Sequence, residues 1–306
     1  MLLEATNVSK TFGSRRGGKS VHAVVEANLR ARPGDFVAIV GESGSGKSTL
    51  ARMLLDLVPV SSGSVTLDGI EVARMKKGQR DFFRQNVQAV LQDPSGSLNP
   101  RKKVGKIVGE VVILHRMARG REAIQDKVVE ALELVGMTPA EDFLGRFPHE
   151  LSGGQRQRVL LARAIVLNPR IIVADEAVSA LDASVKAGVL QLMDDLRRRL
   201  GIGYVFITHD LSVVKKVAEY VYVMKAGEIV EEGTKEKIFG GPEHPYTKTL
   251  LAAAPTLTTS AGKTTRVTSA AKVADAASGA STTSAASTTS AASAASAAST
   301  TETSVG

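Results

Sequence analysis

The sequence predicts an α/β fold, a mostly parallel sheet covered by helices. Three observations carry that expectation. Short apolar runs bounded by turn residues alternate with stretches of helical periodicity, the order that buries parallel strands between helices. One such run, FVAIV at 36–40, opens directly into a glycine-rich loop and then a helix. Another, IIVAD at 171–175, ends on a carboxylate where a buried strand leaves its sheet, and ligands of such sheets gather at those ends.

Taken in chain order, FVAIV is β-branched and apolar enough for a fully buried strand, and STLARMLLDLV after the loop has helical periodicity. VTLDGIEV at 65–72 reads as a hairpin turned by Asp68-Gly69. VQAVLQ at 87–92 is a short strand that ends on the polar Gln92. Residues 105–137 are amphipathic and helical, and a Pro- and Gly-containing connection follows them. A helix over 155–167 stops at Asn168-Pro169. After IIVAD come a helix through VLQLMDDLRRRL, the strand YVFIT at 204–208, and an antiparallel hairpin, VYVMKAGEIVEEG, turning near Lys225–Gly227. No convincing strand lies between 93 and 158, so that stretch is expected to be a helical insertion. Residues 1–255 then make one domain. Residues 256–306 are almost entirely Ala, Ser and Thr without an aromatic, too poor in large apolar side chains to offset the entropy of ordering, and are expected to form a disordered tail.

Composition excludes several classes of function. The 306 residues contain no cysteine, which removes disulfides, cysteine zinc sites and thiolate-held iron–sulfur clusters. No apolar run approaches the ~18–20 residues needed to span a bilayer, and MLLEATNVSK lacks the basic and apolar regions of a signal peptide. Any membrane association is therefore expected to run through a partner. The net charge is +8, but the basic residues are scattered through GSRRGGKS, RMKKGQR, NPRKKVGK and DDLRRRLG. That scatter reads as solvated faces and not as a stripe, so no nucleic-acid partner is expected.

GESGSGKS at 41–48 fits G-x-x-x-x-G-K-[ST] at Gly41, Gly46, Lys47 and Ser48. Glycines let the backbone curl so that N–H groups point at phosphate oxygens, and the following helix turns its positive end toward the same charge. Lys47 is then placed to neutralise β- and γ-phosphates, and Ser48 to give an oxygen to Mg²⁺. The loop alone does not separate a kinase, a GTPase or an ATPase. Asp175, at the end of its strand, suits the Mg²⁺ shell, and the adjacent Glu176 could accept a proton from attacking water. An isolated Asp-Glu pair in that position is more often a helix cap and first-turn acid; the phosphate loop in the same domain reverses the balance. His209 follows the strand YVFIT onto the same edge, within plausible reach of a γ-phosphate, although a lone histidine is more often structural. Gln92 is a neutral candidate for metal and water. Finally, Ser152, Gly153 and Gly154 precede a helix and could form a second anion site, or simply cap that helix together with Gln155.

The ordered set GESGSGKST, Gln92, LSGGQ, IIVADE, SALD (179–182) and His209 resembles the ATP-binding cassette family of transporter ATPases over roughly residues 1–255. That resemblance implies a P-loop NTPase of RecA-like fold with an antiparallel β subdomain and a helical insertion subdomain. It implies two cassettes paired head to tail, identical or related, around two ATP molecules with Mg²⁺. On this resemblance Phe12 stacks on adenine, and Gly41 through Thr49, with Ser43 and Gly44, forms the phosphate loop. Gln92 senses Mg²⁺ and the membrane subunits, Glu176 is the catalytic base and His209 the switch histidine. Ser152, Gly153, Gly154 and Gln155 act on the partner's nucleotide, and Asp182 lies in a loop crossing the interface. DPSGSLNPRKKVG (93–105) and GGPEHPYTKTLLAAAP (240–255) are similar to the oligopeptide, dipeptide and nickel importer branch. Membership of that branch implies two permease subunits, an extracytoplasmic solute-binding protein and a place on the cytoplasmic face of the membrane. Ala177 stands where peptide-branch members commonly have proline and is similar to some nickel-importer ATPases. Nickel as cargo, or a soluble cassette protein not coupled to transport, are the alternatives.

Overall fold

The computed structural model describes residues 1–13, 20–91 and 94–253; Gln92 and the stretch 256–306 lie outside them. The first half of the chain gives β1 (Leu3–Phe12), β2 (Val21–Ala31), β3 (Phe36–Val40), α1 (Lys47–Leu54), β4 (Ser62–Leu67), β5 (Ile70–Glu71), α2 (Lys77–Asn86) and β6 (Val87–Val90). Helices then follow without a described strand: α3 (Pro94–Ser97), α4 (Val104–Leu114), α5 (Arg121–Leu134), α6 (Glu141–Leu144) and α7 (Gly153–Ile165). The remainder is β7 (Ile171–Asp175), α8 (Ala183–Leu200), β8 (Gly203–Thr208), α9 (Leu211–Val217), β9 (Tyr220–Lys225), β10 (Glu228–Thr234), α10 (Lys235–Gly240) and α11 (Pro245–Ala252).

Two sheets form among the described residues. One is antiparallel, in the order β2-β1-β4-β5. The other runs β10-β9-β3-β8-β7-β6, parallel except for the edge strand β10. Its central strands β3, β7 and β8 are buried at every residue, which is why they read as unbroken apolar runs. Phe36 and Tyr204 stack across β3 and β8 with ring centroids 5.2 Å apart, and Phe206 packs on the same ring.

Register decides where chemistry can occur. Val40 pairs with Thr208 and Asp175 with Ile207, so β3, β7 and β8 end level with one another. The loop after Val40, the Glu176 that follows Asp175 and the His209 that follows Thr208 therefore leave the sheet at a single edge.

The hairpins turn as the sequence predicts. Asp68 and Gly69 both have positive φ between β4 and β5, and Ala226 and Gly227 do the same between β9 and β10. The helices differ in extent. The helix after the phosphate loop stops at Leu54, because Asp56 turns left-handed. The 105–137 stretch is two helices, broken where Arg116 and Gly120 take positive φ. The helix read over 155–167 starts two residues earlier, at Gly153, since Ser152 caps it. Strands β1 and β2 have no counterpart in the sequence reading. Asn7 in β1 and Glu26 in β2 take positive φ, and shifts of register break the two-residue alternation that marks a strand.

Candidate functional site

The loop 41–46 joins β3 to α1, and Gly46 is the helix N-cap. Gly46 has φ 101°, and a Cβ there would lie 2.2 Å from the backbone oxygen of Ala23. Only glycine fits, both for conformation and for the closeness of β2. The loop is held from a second side as well: the Gly227 amide donates to the Ser45 carbonyl at 3.0 Å, and the Gly227 carbonyl accepts from Val25 at 2.9 Å. Lys47 is buried and folds back over the loop. Its Nζ donates to the carbonyls of Gly41 (2.9 Å) and Glu42 (2.6 Å) and to Ser45 Oγ (3.3 Å). Burial lowers the Lys47 pKa, partly opposed by the negative charges of Glu176, Asp175 and Glu42.

At the end of β7, Ser48 Oγ donates to Asp175 Oδ1 at 3.0 Å. Asp175 is buried, and burial is the main cause that raises its pKa; Glu176 adds to the rise, while the Ser48 bond, Arg52 and Lys47 oppose it. A serine hydroxyl and a carboxylate converging beside a phosphate loop are two hard oxygen donors, the chemistry that suits Mg²⁺. Among the described residues no group of three or more His, Cys, Asp or Glu is placed to hold a metal, so phosphate and water oxygens would have to complete such a shell.

Glu176 holds φ at 49°, a left-handed conformation uncommon for a residue with a side chain. Its amide donates to the Ile207 carbonyl at 2.9 Å, and its carbonyl accepts from the Ser179 amide and hydroxyl. The turn aims the carboxylate along the sheet edge, where Oε1 lies 3.1 Å from His209 Nδ1. A carboxylate accepts here when Nδ1 carries the ring proton, and Nε2 lies on the far side of the ring from Glu176. Behind His209, Asp210 caps α9 through the Ser212 amide and pairs with Lys186 of α8 at 3.0 Å.

Ser152, Gly153, Gly154 and Gln155 open α7. Ser152 Oγ accepts from the Gln155 amide (3.2 Å) and Gln155 Oε1 from the Ser152 amide (2.9 Å), a reciprocal capping box. The patch packs on the region that follows β7: a Cβ at Gly153 would meet Leu181, and one at Gly154 would meet Val185. Asp182 is the N-cap residue of α8 in the same region, without a side-chain cap bond. Ser43 and Gly44 are exposed on the phosphate loop, and Thr49 is half-buried in α1. Phe12 ends β1 with 46 % of its surface exposed, and Lys10 Nζ lies 5.2 Å from its ring centroid. The Gln92 reading lies outside the described residues. A cavity of about 650 Å³, lined by Arg30, Tyr220 and Tyr222 among others, opens at the opposite end of β3 and shares no residue with this cluster.

One contact was not read from the sequence. The hydroxyl of Tyr246, in α11, accepts from the Glu42 amide of the phosphate loop at 3.1 Å. The segment around Tyr246 is similar to one importer branch, but nothing local in it reports a partner 204 residues away.

The glycine loop between β3 and α1, with an aspartate at the end of a neighbouring parallel strand, defines a P-loop NTPase. Family comparison narrows the class. The family model for "ABC transporter" matches residues 24–179, and the one for "Oligopeptide/dipeptide transporter, C-terminal region" matches 230–280. The chain belongs to the ABC transporter family. It is 42% identical over 259 residues to a glutathione import ATP-binding protein, GsiA, of Pectobacterium atrosepticum, covering 83% of this chain and 41% of the relative. It is 43% identical over 249 residues to the GsiA of Salmonella typhimurium, covering 81% and 40%. The chain thus spans about two fifths of the length of the curated relatives it matches. Among solved structures, the ATP-binding cassette MJ0796, a dimer in a post-hydrolysis state with ADP and Pi, matches with a TM-score of 0.67 and 31% identity over 76% of this chain and 98% of its own. The cbiO1 protein of Clostridium perfringens, part of the cbiONQ transporter complex, gives 0.67 and 27% over 78% and 90%. Among the described residues no helix is long and apolar enough to cross a membrane.

Proposed function

We propose that the chain is the ATP-binding and ATP-hydrolysing subunit of an importer of the oligopeptide and dipeptide branch, working at the cytoplasmic face of the membrane through two permease subunits. The observation that carries this reading is the meeting of two pairs at one sheet edge, Ser48 with Asp175 and Glu176 with His209. In the mechanism, backbone amides of residues 44–49 and the N-terminus of α1 hold the phosphates. Lys47 exchanges its loop carbonyls for β- and γ-phosphate oxygens. Ser48 and Asp175, with Gln92, would hold Mg²⁺, which would supply positive charge to neutralise the phosphates. Glu176 takes a proton from the attacking water, and His209, held beside Glu176 at 3.1 Å, lies on the edge that faces the γ-phosphate. Phe12 supplies a stacking face for adenine.

Ser152, Gly153, Gly154 and Gln155, next to the Asp182 loop, receive the γ-phosphate of a second cassette, identical or related and packed head to tail. ATP therefore favours the closed pair, and its hydrolysis reopens it. Residues 1–255 form the cassette and 93–158 its insertion, which faces the permeases together with Gln92. Residues 240–255 are the branch-specific segment and 256–306 an appended tail. A small peptide is the proposed cargo, delivered by an extracytoplasmic solute-binding protein. The names of the relatives support it, since glutathione is itself a tripeptide, as does the C-terminal family match. Ala177, the residue behind the nickel alternative, is buried in the core. A Glu176→Gln variant tests the mechanism: it is expected to bind MgATP while phosphate release falls at least about 100-fold, the low end for loss of a general base. Near-parental turnover removes Glu176 from its role. Cells lacking the chain should lose uptake of a labelled tripeptide; loss of nickel uptake alone would reassign the cargo.

A further inference from the structure

We infer that the C-terminal helix α11 braces the phosphate loop, and that Tyr246 is a positioning residue for nucleotide binding. The inference rests on the phosphate-loop reading above. Its starting point is the bond from the Glu42 amide to the Tyr246 hydroxyl, at 3.1 Å. Glu42 is the second residue of the loop, and its carbonyl is the acceptor for Lys47 Nζ at 2.6 Å. One residue, Glu42, thus links Tyr246 through its amide to the lysine held at its carbonyl.

The surroundings of Tyr246 fix it in place. Glu231 in β10 spends both carboxylate oxygens on the segment leading to α11, accepting from the Glu243 amide (2.7 Å) and the His244 amide (3.1 Å). His244 Nδ1 then accepts from the Tyr246 amide at 3.1 Å, capping the helix, and Pro245 occupies the first turn, where its missing N–H costs nothing. The Tyr246 ring is 7 % exposed and packs in an apolar cluster with Ala38, Val40, Val221, Val223 and Ile238. Val40 is the residue that hands the chain from β3 to the loop. Lys225 Nζ covers the ring from outside, 4.9 Å from its centroid. A buried phenol usually finds a partner for its hydroxyl, and here the loop backbone supplies one.

The function of such a brace follows from entropy. Fixing a residue's backbone costs conformational entropy, and a phosphate-binding loop that is ordered before the nucleotide arrives spares binding that cost. Glu42, Ser43 and Gly44 are exposed, so this stretch has little packing of its own to order it. Tyr246 touches the loop and not the reacting atoms, so its effect belongs to affinity.

The test uses the full chain with Tyr246→Phe, which keeps the ring and removes only the hydroxyl. Loss of one net hydrogen bond predicts a Kd for MgATP, and a KM for hydrolysis, about 3- to 10-fold higher, with kcat within about two-fold of the parent. The nucleotide-free melting midpoint is expected to fall by no more than about 5 °C, because only the hydrogen bond is lost and the ring still fills the cluster. Parental affinity in this variant overturns the inference, as does weaker binding accompanied by a melting loss of more than about 5 °C, which would mark a general packing role. Lys47→Met, titrated with MgATP in parallel, isolates the premise. If it binds like the parent, the phosphate-loop reading itself is wrong; if it loses binding while Tyr246→Phe does not, only the brace is wrong.

Discussion

Replacing Gly154 by alanine separates folding of the cassette from its pairing. Gly154 is the second residue of α7, and an added Cβ would stand 2.5 Å from Cγ1 of Val185. Two effects on stability oppose each other. Alanine in place of glycine in a helix contributes about 0.5–1 kcal/mol. Val185 must give way, but it lies at the surface with 36 % exposure, so a displaced rotamer costs about 0.5–1.5 kcal/mol. The sum is within about 1 kcal/mol of zero, and for a domain of this size the melting midpoint moves by no more than about 4 °C. Pairing should respond very differently, because the methyl displaces Val185, an exposed side chain beside the helix N-terminus where the partner's γ-phosphate is proposed to approach. The assay is size-exclusion chromatography in MgATP on a Glu176→Gln background, with thermal melts of the same proteins. The expected result is a normal melt, retained monomer binding of ATP and no dimer. A dimer formed at parental ATP concentration refutes the in-trans role, and a melt lowered by about 10 °C refutes the judgement that Val185 can move.

Gly46→Ala is expected to lose nucleotide binding and about 3 kcal/mol or more of stability in denaturant titration, since its Cβ would meet backbone at 2.2 Å; Gly44→Ala, with open space around it, should cost only about 1–2 kcal/mol of left-handed strain. Burial pushes the Glu231 pKa up, but the bonds from the Glu243 and His244 amides outweigh it and hold the carboxyl below its ordinary value. Its stabilising contribution is therefore complete above about pH 4.5 and lost as the pH falls through the depressed pKa, so the melting gap between parent and Glu231→Gln should be constant above about pH 5 and shrink below 4.5. A gap unchanged down to pH 3 contradicts that assignment. Lys186→Met breaks a partly exposed ion pair and should cost about 1 kcal/mol or less, whereas Asp210→Ala also removes the cap of α9 and should cost about 1–2 kcal/mol more by thermal melts.

What the sequence made legible were the features governed by local pattern. The strands IIVAD and FVAIV are found at the residues read, because burial on both faces leaves no polar interruption. Asp68-Gly69 announces its turn through side-chain type alone. The common edge of Lys47, Asp175, Glu176 and His209 followed from strand ends. Strands β1 and β2 were missed for the converse reason, since their register shifts scatter buried and exposed positions without a period. The left-handed turn at Glu176, the ion pair of Lys186 with Asp210 and the bond from Tyr246 to the loop were also missed. Each is set by packing between elements that are remote in sequence or by strain imposed from outside, and no window of a dozen residues contains the cause.

The supports of the phosphate loop also impose an order in time. The loop is made by residue 46, but the backbone that crowds it belongs to Ala23 and Met224, and the groups that bond it belong to Gly227 and Tyr246. A ribosome adding about 5–20 residues per second needs roughly 10–40 s to travel from the loop to Tyr246. For that interval the nascent chain carries the phosphate-binding sequence without its last buttress. On the brace inferred above, full affinity for nucleotide waits for residue 246, so a product truncated before it has the whole motif and lacks one support of its loop.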